Sequence, residues 1–467
     1  MLFPTPEFAI FFSLVFVTSW LLRPRPVAWR VFLLLASYLF YAWWDPRFTL
    51  LLLGSTLVNQ AAASAIHRSR REGGRRALLT MAVVANLAVL GFFKYYGFFV
   101  TSVASGLERL GLSTNPPLLQ IVLPVGISFF TFQALSYVID TYRRHTEPAP
   151  LLDFAVYLSL FPHLVAGPIV RARELLPQLK EKADPRRIDA ALAFRLIFAG
   201  LFKKVVVSSF LASAIVDPVF AVPGQHSALE VLFAVYGYAV QIYADFSGYT
   251  DIAIGCALLL GLRFPQNFDA PYTSQSIQEF WRRWHMTLSF WLRDYLYIPL
   301  GGNHGSERRV QRNLFLTMVI GGLWHGAAWK FVVWGAIHGG AMCAERAWRR
   351  SHEPATTPGA RVLHWLVTFH VVCLAWVFFR ADDFSAALSV LGRLTAFGSA
   401  PLVKPMVVFV VVAMIAAQFV PTLVVDRAQL VFSRMAPLLQ GVLLGGGLLV
   451  IDALGPLGVA PFIYFQF

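Results

Sequence analysis

Charged side chains are scarce in this 467-residue sequence: Asp, Glu, Lys and Arg together make up 14%, against roughly 25% in soluble domains. Hydrophobic residues make up 57%, so the chain needs lipid as its solvent. Cysteine is scarce too. Cys256, Cys343 and Cys373 are too scattered for a disulfide framework or a metal site, and each reads as a small core residue. No two histidines stand four apart beside a carboxylate in the zinc pattern, so no metal centre is expected. The lack of a phosphate-binding glycine loop argues against direct ATP hydrolysis. No soluble domain, internal repeat or low-complexity tract interrupts the chain, and a single membrane domain over residues 1–467 is expected. No cleavable leader is evident: Pro4, Pro6 and Glu7 precede the first apolar run, with no basic region or small-residue cleavage site, so that span is expected to stay.

What is abundant is aromatic and apolar. Aromatic residues make up 15%, including 13 Trp and 41 Phe, which suits rings packed between helices and belts at the headgroup regions. A bilayer core needs roughly 20 apolar residues per helix, and the apolar runs predict about eleven spans. The net charge of +14 is concentrated in short loops. It is therefore a topology signal, and nucleic acid is a poor explanation for it. Phe8 to Leu22 ends at Arg23, Arg25 and Arg30, which puts the start of the chain outside. Phe48 to Ile66 ends at Arg68, Arg70, Arg71, Arg75 and Arg76, the clearest cytoplasmic marker.

Two stretches read as broken. Leu151 to Val170 carries Pro162, His163, Gly167 and Pro168 between basic ends and is expected to be re-entrant. Irregular backbone at membrane depth is tolerated only inside protein or along a water-filled cavity, so this segment is expected to line one. The same argument covers Gly321 to Gly326, where three glycines interrupt an apolar run. Ala228 to Ala244 and Thr250 to Leu262 are expected as separate helices. From Arg263 to Tyr295 the chain reads as cytoplasmic, with Trp281, Trp284, Leu288, Trp291 and Tyr295 on one helical face.

Ionisable side chains within apolar helices are costly, so each is a functional candidate with a structural alternative. His325 stands first. It lies in Gly321-Gly-Leu-Trp-His-Gly-Ala-Ala-Trp-Lys330, with Trp324 adjacent, Trp329 a turn on, and glycines that would open backbone space for a substrate. A neutral imidazole can take a proton from an alcohol that attacks a thioester. Helix-packing hydrogen bonding is the plainer alternative. His285 lies 40 residues earlier in Phe280-Trp-Arg-Arg-Trp-His-Met-Thr-Leu-Ser-Phe-Trp-Leu-Arg-Asp294. Arg282, Arg283 and Arg293 there are suited to the phosphates of an acyl-CoA or of lipid headgroups, and equally to snorkelling from an interfacial helix. His163 and His338 read as satisfied core residues. Asp245 and Asp251, in Tyr243-Ala-Asp-Phe-Ser-Gly-Tyr-Thr-Asp251, sit at an expected break between helices. Cation binding, a helix cap at Asp251 and pairing with arginine all fit, with arginine pairing favoured.

Together these motifs resemble the membrane-bound O-acyltransferase (MBOAT) family, and within it the bacterial alginate O-acetylation branch. The matching pieces are Leu123-Pro-Val-Gly-Ile-Ser-Phe-Phe-Thr-Phe-Gln133, Phe161-Pro-His-Leu-Val-Ala-Gly-Pro168, the tract around Asp245 and Asp251, Asn267 to Gly302, Gly322-Leu-Trp-His-Gly-Ala-Ala-Trp329 and the closing Pro461-Phe-Ile-Tyr-Phe-Gln-Phe467. The resemblance implies an all-α polytopic fold, a ring of helices with re-entrant segments around a central funnel, in the bacterial inner membrane. It implies His325 as the essential base and His285 as a helper that positions the donor or stabilises charge. Arg282, Arg283, Arg293, Trp324 and Trp329 would bind the donor, with Asp245, Asp251 and Asp294 in support. The implied donor is acetyl-CoA or another acyl thioester, with no bound cofactor. The implied partners are membrane lipids and an extracytoplasmic acyltransferase or polysaccharide.

Close alternatives on the same fold are D-alanyl transfer to teichoic acids and peptidoglycan acylation. Outside the class stand a secondary transporter, which broken helices and membrane-depth His and Asp also suit, and a silent scaffold for secretion. The absence of paired halves with matching interruptions counts against the transporter.

Overall fold

The computed structural model describes residues 1, 3–112, 119, 121–181, 184–352, 357–455 and 462–465. Every regular element among the described residues is helical. In chain order these are α1 (Pro6–Leu22), α2 (Pro26–Ala42), α3 (Pro46–Arg68), α4 (Glu72–Leu90), α5 (Tyr96–Arg109), α6 (Ile127–Tyr142), α7 (Leu151–Ser159), α8 (Phe161–Leu164) and α9 (Ala172–Leu175). Next come α10 (Ala190–Leu201), α11 (Ser209–Leu211), α12 (Asp217–Ala221), α13 (Ala228–Leu259), α14 (Ile277–Arg283), α15 (Met286–Leu292), α16 (Glu307–His325) and α17 (Trp329–Trp348). Last are α18 (Pro358–Arg380), α19 (Phe384–Gly392), α20 (Pro405–Ala417), α21 (Thr422–Ser433) and α22 (Pro437–Leu454). Lipid offers the backbone no hydrogen bonds, and a helix closes them within one segment.

Among the described residues four helical stretches are long and apolar enough to cross a bilayer: Pro46–Arg68, Glu72–Arg109, Pro358–Arg380 and Pro437–Leu454. The pair α20 and α21, bent by 94°, makes a fifth if it counts as one span. Other apolar runs are divided into shorter pieces. The run from Ala190 to Val216, for example, is α10, a π-helical turn at Phe202–Ser208, α11 and a second π-helical turn at Ala212–Val216.

The helices fall into two compact units, Met1–Ile188 with Cys256–Pro265, and Asp189–Gly255 with Gln266–Phe467. In the first, Asn59 of α3 and Asn86 of α4 exchange side-chain hydrogen bonds of 3.1 and 2.7 Å, which satisfies both amides inside the protein. The stretch expected to be broken is broken: Leu160, at φ −55° and ψ 116°, separates α7 from α8, and the segment is buried from Asp153 to Val170. The Phe161 N–H freed by that break donates to Ser37 Oγ at 3.1 Å. His163 is buried, its Nε2 donating to the Tyr157 carbonyl at 2.9 Å. Gly126, at φ 77°, lies where a Cβ would stand 2.5 Å from the Leu164 carbonyl oxygen, so only glycine fits there.

The second unit corrects two expectations. Residues 243–251 contain no break, since α13 runs unbroken through both aspartates, and Asp251 caps nothing. Gly248 is there because α10 crosses so closely that its Cβ would lie 2.7 Å from the Gly200 carbonyl oxygen. Gly321 and Gly322 likewise do not interrupt a helix. α16 continues through them and ends at Gly326. A Cβ on Gly322 would lie 2.2 Å from the Phe331 carbonyl oxygen, and one on Gly335 would lie 2.4 Å from that of Met318. The space Gly322 leaves is taken by the antiparallel helix α17, and that of Gly321 by Leu292 of α15, not by a substrate.

Of the closing Pro461 to Phe467, only 462–465 are among the described residues.

Candidate active site

All the site residues below lie in the second unit. α14 and α15 are parted at Trp284 and His285. His285 adopts φ 40° and ψ 55°, a left-handed conformation unusual for a residue with a Cβ. Asn267 holds it there. The Asn267 Oδ1 accepts from the Thr287 N–H at 3.2 Å, the Thr287 hydroxyl at 2.9 Å and His285 Nδ1 at 3.1 Å. An amide oxygen only accepts, so His285 carries its proton on Nδ1 and presents Nε2 as the lone-pair nitrogen.

His325 is the last residue of α16 and is only 3% exposed. Its ring centroid lies 4.8 Å from Trp334, 5.0 Å from Trp324, 5.3 Å from Phe379 and 5.5 Å from Tyr464. Trp324 touches both histidines, at 6.1 Å from His285. Phe246 of α13 closes the other side, 4.7 Å from both His285 and Tyr464. The two histidines thus share one aromatic enclosure.

Asp245 and Asp251 do have cationic partners, but these are lysines rather than the expected arginines. The Lys204 ammonium pairs with Asp245, and that of Lys203 with Asp251. Lys203 also donates to Ser247 Oγ at 3.0 Å. The π-helical turn at Phe202–Ser208 sets both lysines toward α13, and the Gly200–Gly248 approach brings them within reach. Asp245 Oδ2 in addition accepts the Ile463 backbone N–H at 2.8 Å. That bond secures the segment that presents Tyr464 to His325.

The arginines divide. Arg282 and Arg293 line a cavity of about 730 Å³ together with Trp281, Tyr297, Arg346 and Arg349. Arg283 does not line it: it borders a hollow of about 420 Å³, whose wall also includes Arg282 and Arg349, and pairs with Glu279 at 3.0 Å and Asp269 at 3.5 Å. Asp294 pairs with Arg293 at 2.7 Å. Trp329 begins α17 and is 61% exposed, away from the enclosure that Trp324 helps form. Neither His285 nor His325 lines the larger cavity, but Trp281 does. The stripe from Trp281 to Tyr295 is buried throughout, against neighbouring helices.

Sequence reasoning missed Trp334, Phe379, Tyr464, Asn267 and the two lysines. Lys203 and Lys204 carried a usable signal, as adjacent charges within an apolar run. The aromatic walls carried none, since 15% of the chain is aromatic.

With this geometry in hand, similarity to known proteins is informative. Residues 66–381 match the MBOAT, membrane-bound O-acyltransferase family. The chain is 39% identical over 422 residues to the peptidoglycan O-acetyltransferase of Helicobacter pylori, covering 84% of this chain and 79% of that one. It is 42% identical over 402 residues to the probable alginate O-acetylase AlgI of Pseudomonas aeruginosa, covering 85% and 76%. A teichoic acid D-alanyltransferase of Bacillus subtilis is 28% identical over 277 residues, covering 56% and 69%. By the family match and by these relatives, this multi-pass membrane chain belongs to the membrane-bound O-acyltransferase family.

Proposed function

We propose that this acyltransferase takes an acetyl group from a cytoplasmic thioester, acetyl-CoA or another acyl carrier, and passes it across the bacterial inner membrane. The acceptor is a hydroxyl of an extracytoplasmic polysaccharide or of a secreted partner acyltransferase. The observation that carries this reading is His325, buried at the end of α16 inside an aromatic enclosure that it shares with a second histidine.

In the proposed step the acceptor oxygen attacks the thioester carbonyl while its proton passes to the His325 imidazole. The C–O bond forms, the C–S bond breaks, and the proton goes on to the departing thiolate, so the products are an ester and a free thiol. Exclusion of water by the aromatic walls favours transfer over hydrolysis. His285, locked as the Nδ1–H tautomer by Asn267, offers Nε2 as an acceptor that orients the attacking hydroxyl. Arg282 and Arg293 suit a phosphorylated donor on the side of the larger cavity.

Relatives near 40% identity are named for O-acetylation of peptidoglycan or alginate, whereas the D-alanyltransferase stands at 28%. That difference supports acetyl over D-alanyl transfer. The test is transfer of radiolabel from acetyl-CoA to a candidate polysaccharide or secreted partner across proteoliposomes. His325→Ala is expected to abolish it in a folded protein. Undiminished transfer by that variant refutes the mechanism and leaves a scaffold, and transport driven by a proton gradient without thioester consumption points to a transporter.

A further inference from the structure

His338 was expected to be a satisfied core residue, and half of it is. The Trp281 Nε1–H donates to His338 Nδ1 at 3.3 Å. An indole nitrogen only donates, so Nδ1 must be the bare nitrogen and a neutral His338 carries its proton on Nε2. That Nε2 is buried and has no hydrogen-bond partner, in a residue that is 0% exposed. Rings surround it: Phe280 stacks at 6.1 Å, with Trp281 at 5.1 Å and Trp334 at 4.8 Å. None of these rings offers an oxygen, and a buried N–H without an acceptor is costly. The group is placed to donate to something that arrives.

Position says what arrives. Trp281 forms part of the wall of the arginine-lined cavity, while its indole also packs 5.6 Å from Trp334, the ring next to His325. On α17, Trp334, His338 and Met342 follow one another at four-residue spacing on a single face. Met342 lines the cavity and Trp334 touches His325, so His338 stands between them on a path of about 12 Å along the helix.

We propose that His338 is a donor-binding residue, whose Nε2–H donates to an amide carbonyl of the pantetheine-type arm that carries the acyl thioester from the arginine-lined cavity to His325. This rests on the acyl-transfer reading above and adds to it a residue and a ligand chemistry. A pantetheine arm carries amides along a flexible chain, and the same arm occurs in coenzyme A and in acyl carrier proteins.

The test compares three donors in proteoliposomes: acetyl-CoA, an acetylated acyl carrier protein and the acetyl thioester of mercaptoethanol, which has no amide. Use of the first or the second by the unaltered protein identifies the source of the arm. With that donor, His338→Phe is expected to raise KM about three- to tenfold, the size of one lost hydrogen bond. It should leave kcat and the amide-free donor little changed. His338→Gln, which keeps a donor at a similar reach, is expected to restore KM. Equal losses on both kinds of donor, or no rescue by Gln, would mean that His338 only packs and would overturn the proposal. Should His338→Phe not fold, inhibition of the unaltered protein decides: pantetheine must compete clearly better than mercaptoethanol, and equal competition overturns the proposal. Failure of the unaltered protein with every thioester would instead sink the acyl-transfer reading itself.

Discussion

The carboxylate of Asp245 accepts the backbone N–H of Ile463 at 2.8 Å, across 218 residues of sequence, while its other oxygen holds the buried ammonium of Lys204. The pairing neutralises a charge in the protein interior, and it also fixes the wall of the enclosure to which Tyr464 belongs.

Removing one member of that pair strands the other. Asp245→Ala is expected to destabilise the protein by about 3–5 kcal/mol, because an uncompensated ammonium remains buried. Thermal unfolding in detergent measures it. The double variant Lys204→Met with Asp245→Leu is expected to regain most of the stability while transfer stays low, because the Ile463 N–H has still lost its acceptor. Full activity in the double variant would show that the Ile463 bond does not matter to the site.

At position 325 the proposed mechanism puts the loss on chemistry. His325→Ala is expected to lower the rate by about 10²–10⁴-fold, the usual worth of a general base. Unfolding temperature and elution volume should stay near those of the unaltered protein, and the rate is read as label transferred per minute.

For His285 the backbone matters as much as the ring. Any residue with a Cβ at φ 40° carries conformational strain, so His285→Gly is expected to be more stable than His285→Ala by up to about 1 kcal/mol, although both lack the imidazole. Asn267→Ala keeps the ring but removes the acceptor shared by His285 and Thr287, and should lower kcat strongly with intact arginine-cavity residues. Parallel unfolding curves for the Gly and Ala variants would contradict the strain argument.

Close approach of α16 and α17 makes its own forecast. Gly335→Ala puts a Cβ only 2.4 Å from the Met318 carbonyl oxygen, and backbone cannot yield as a flexible side chain does. Loss of folded yield is expected, whereas Gly340→Ala, with open space around it, should be silent. Detergent-solubilised yield of the two variants is the comparison.

Topology is checked at the basic loop between α3 and α4. Arg70 is exposed there, and a cysteine at that position is expected to resist membrane-impermeant labelling from outside intact cells and to react after permeabilisation. Labelling from outside would invert the orientation.

Much of this was legible in the sequence where local composition decides. Apolar length marked helices such as α1 and α3, and Pro162 with Gly167 marked the broken segment at α7 and α8. His325 and His285 stood out because titratable groups are rare in apolar runs. Glycines misled. A glycine beside a candidate base reads as room for a substrate, but at Gly322 the room is filled by another helix, which no single segment reveals. The partners of Asp245 and Asp251 were hidden for a related reason: they lie more than 40 residues away, in a π-helical turn that hydropathy does not mark. Tyr464 and Trp334 were ordinary members of an aromatic-rich chain until tertiary packing set them against one imidazole.

Chain order adds a consequence for biogenesis. The ribosome delivers His325 well before the stretch around Ile463, so a partly inserted polypeptide holds that imidazole with one side still uncovered. On the proposed mechanism, competence for transfer therefore arrives late, as a product of tertiary closure rather than of helix insertion. A truncated translation product that reaches the bilayer intact through α17 would be a membrane protein without being an enzyme.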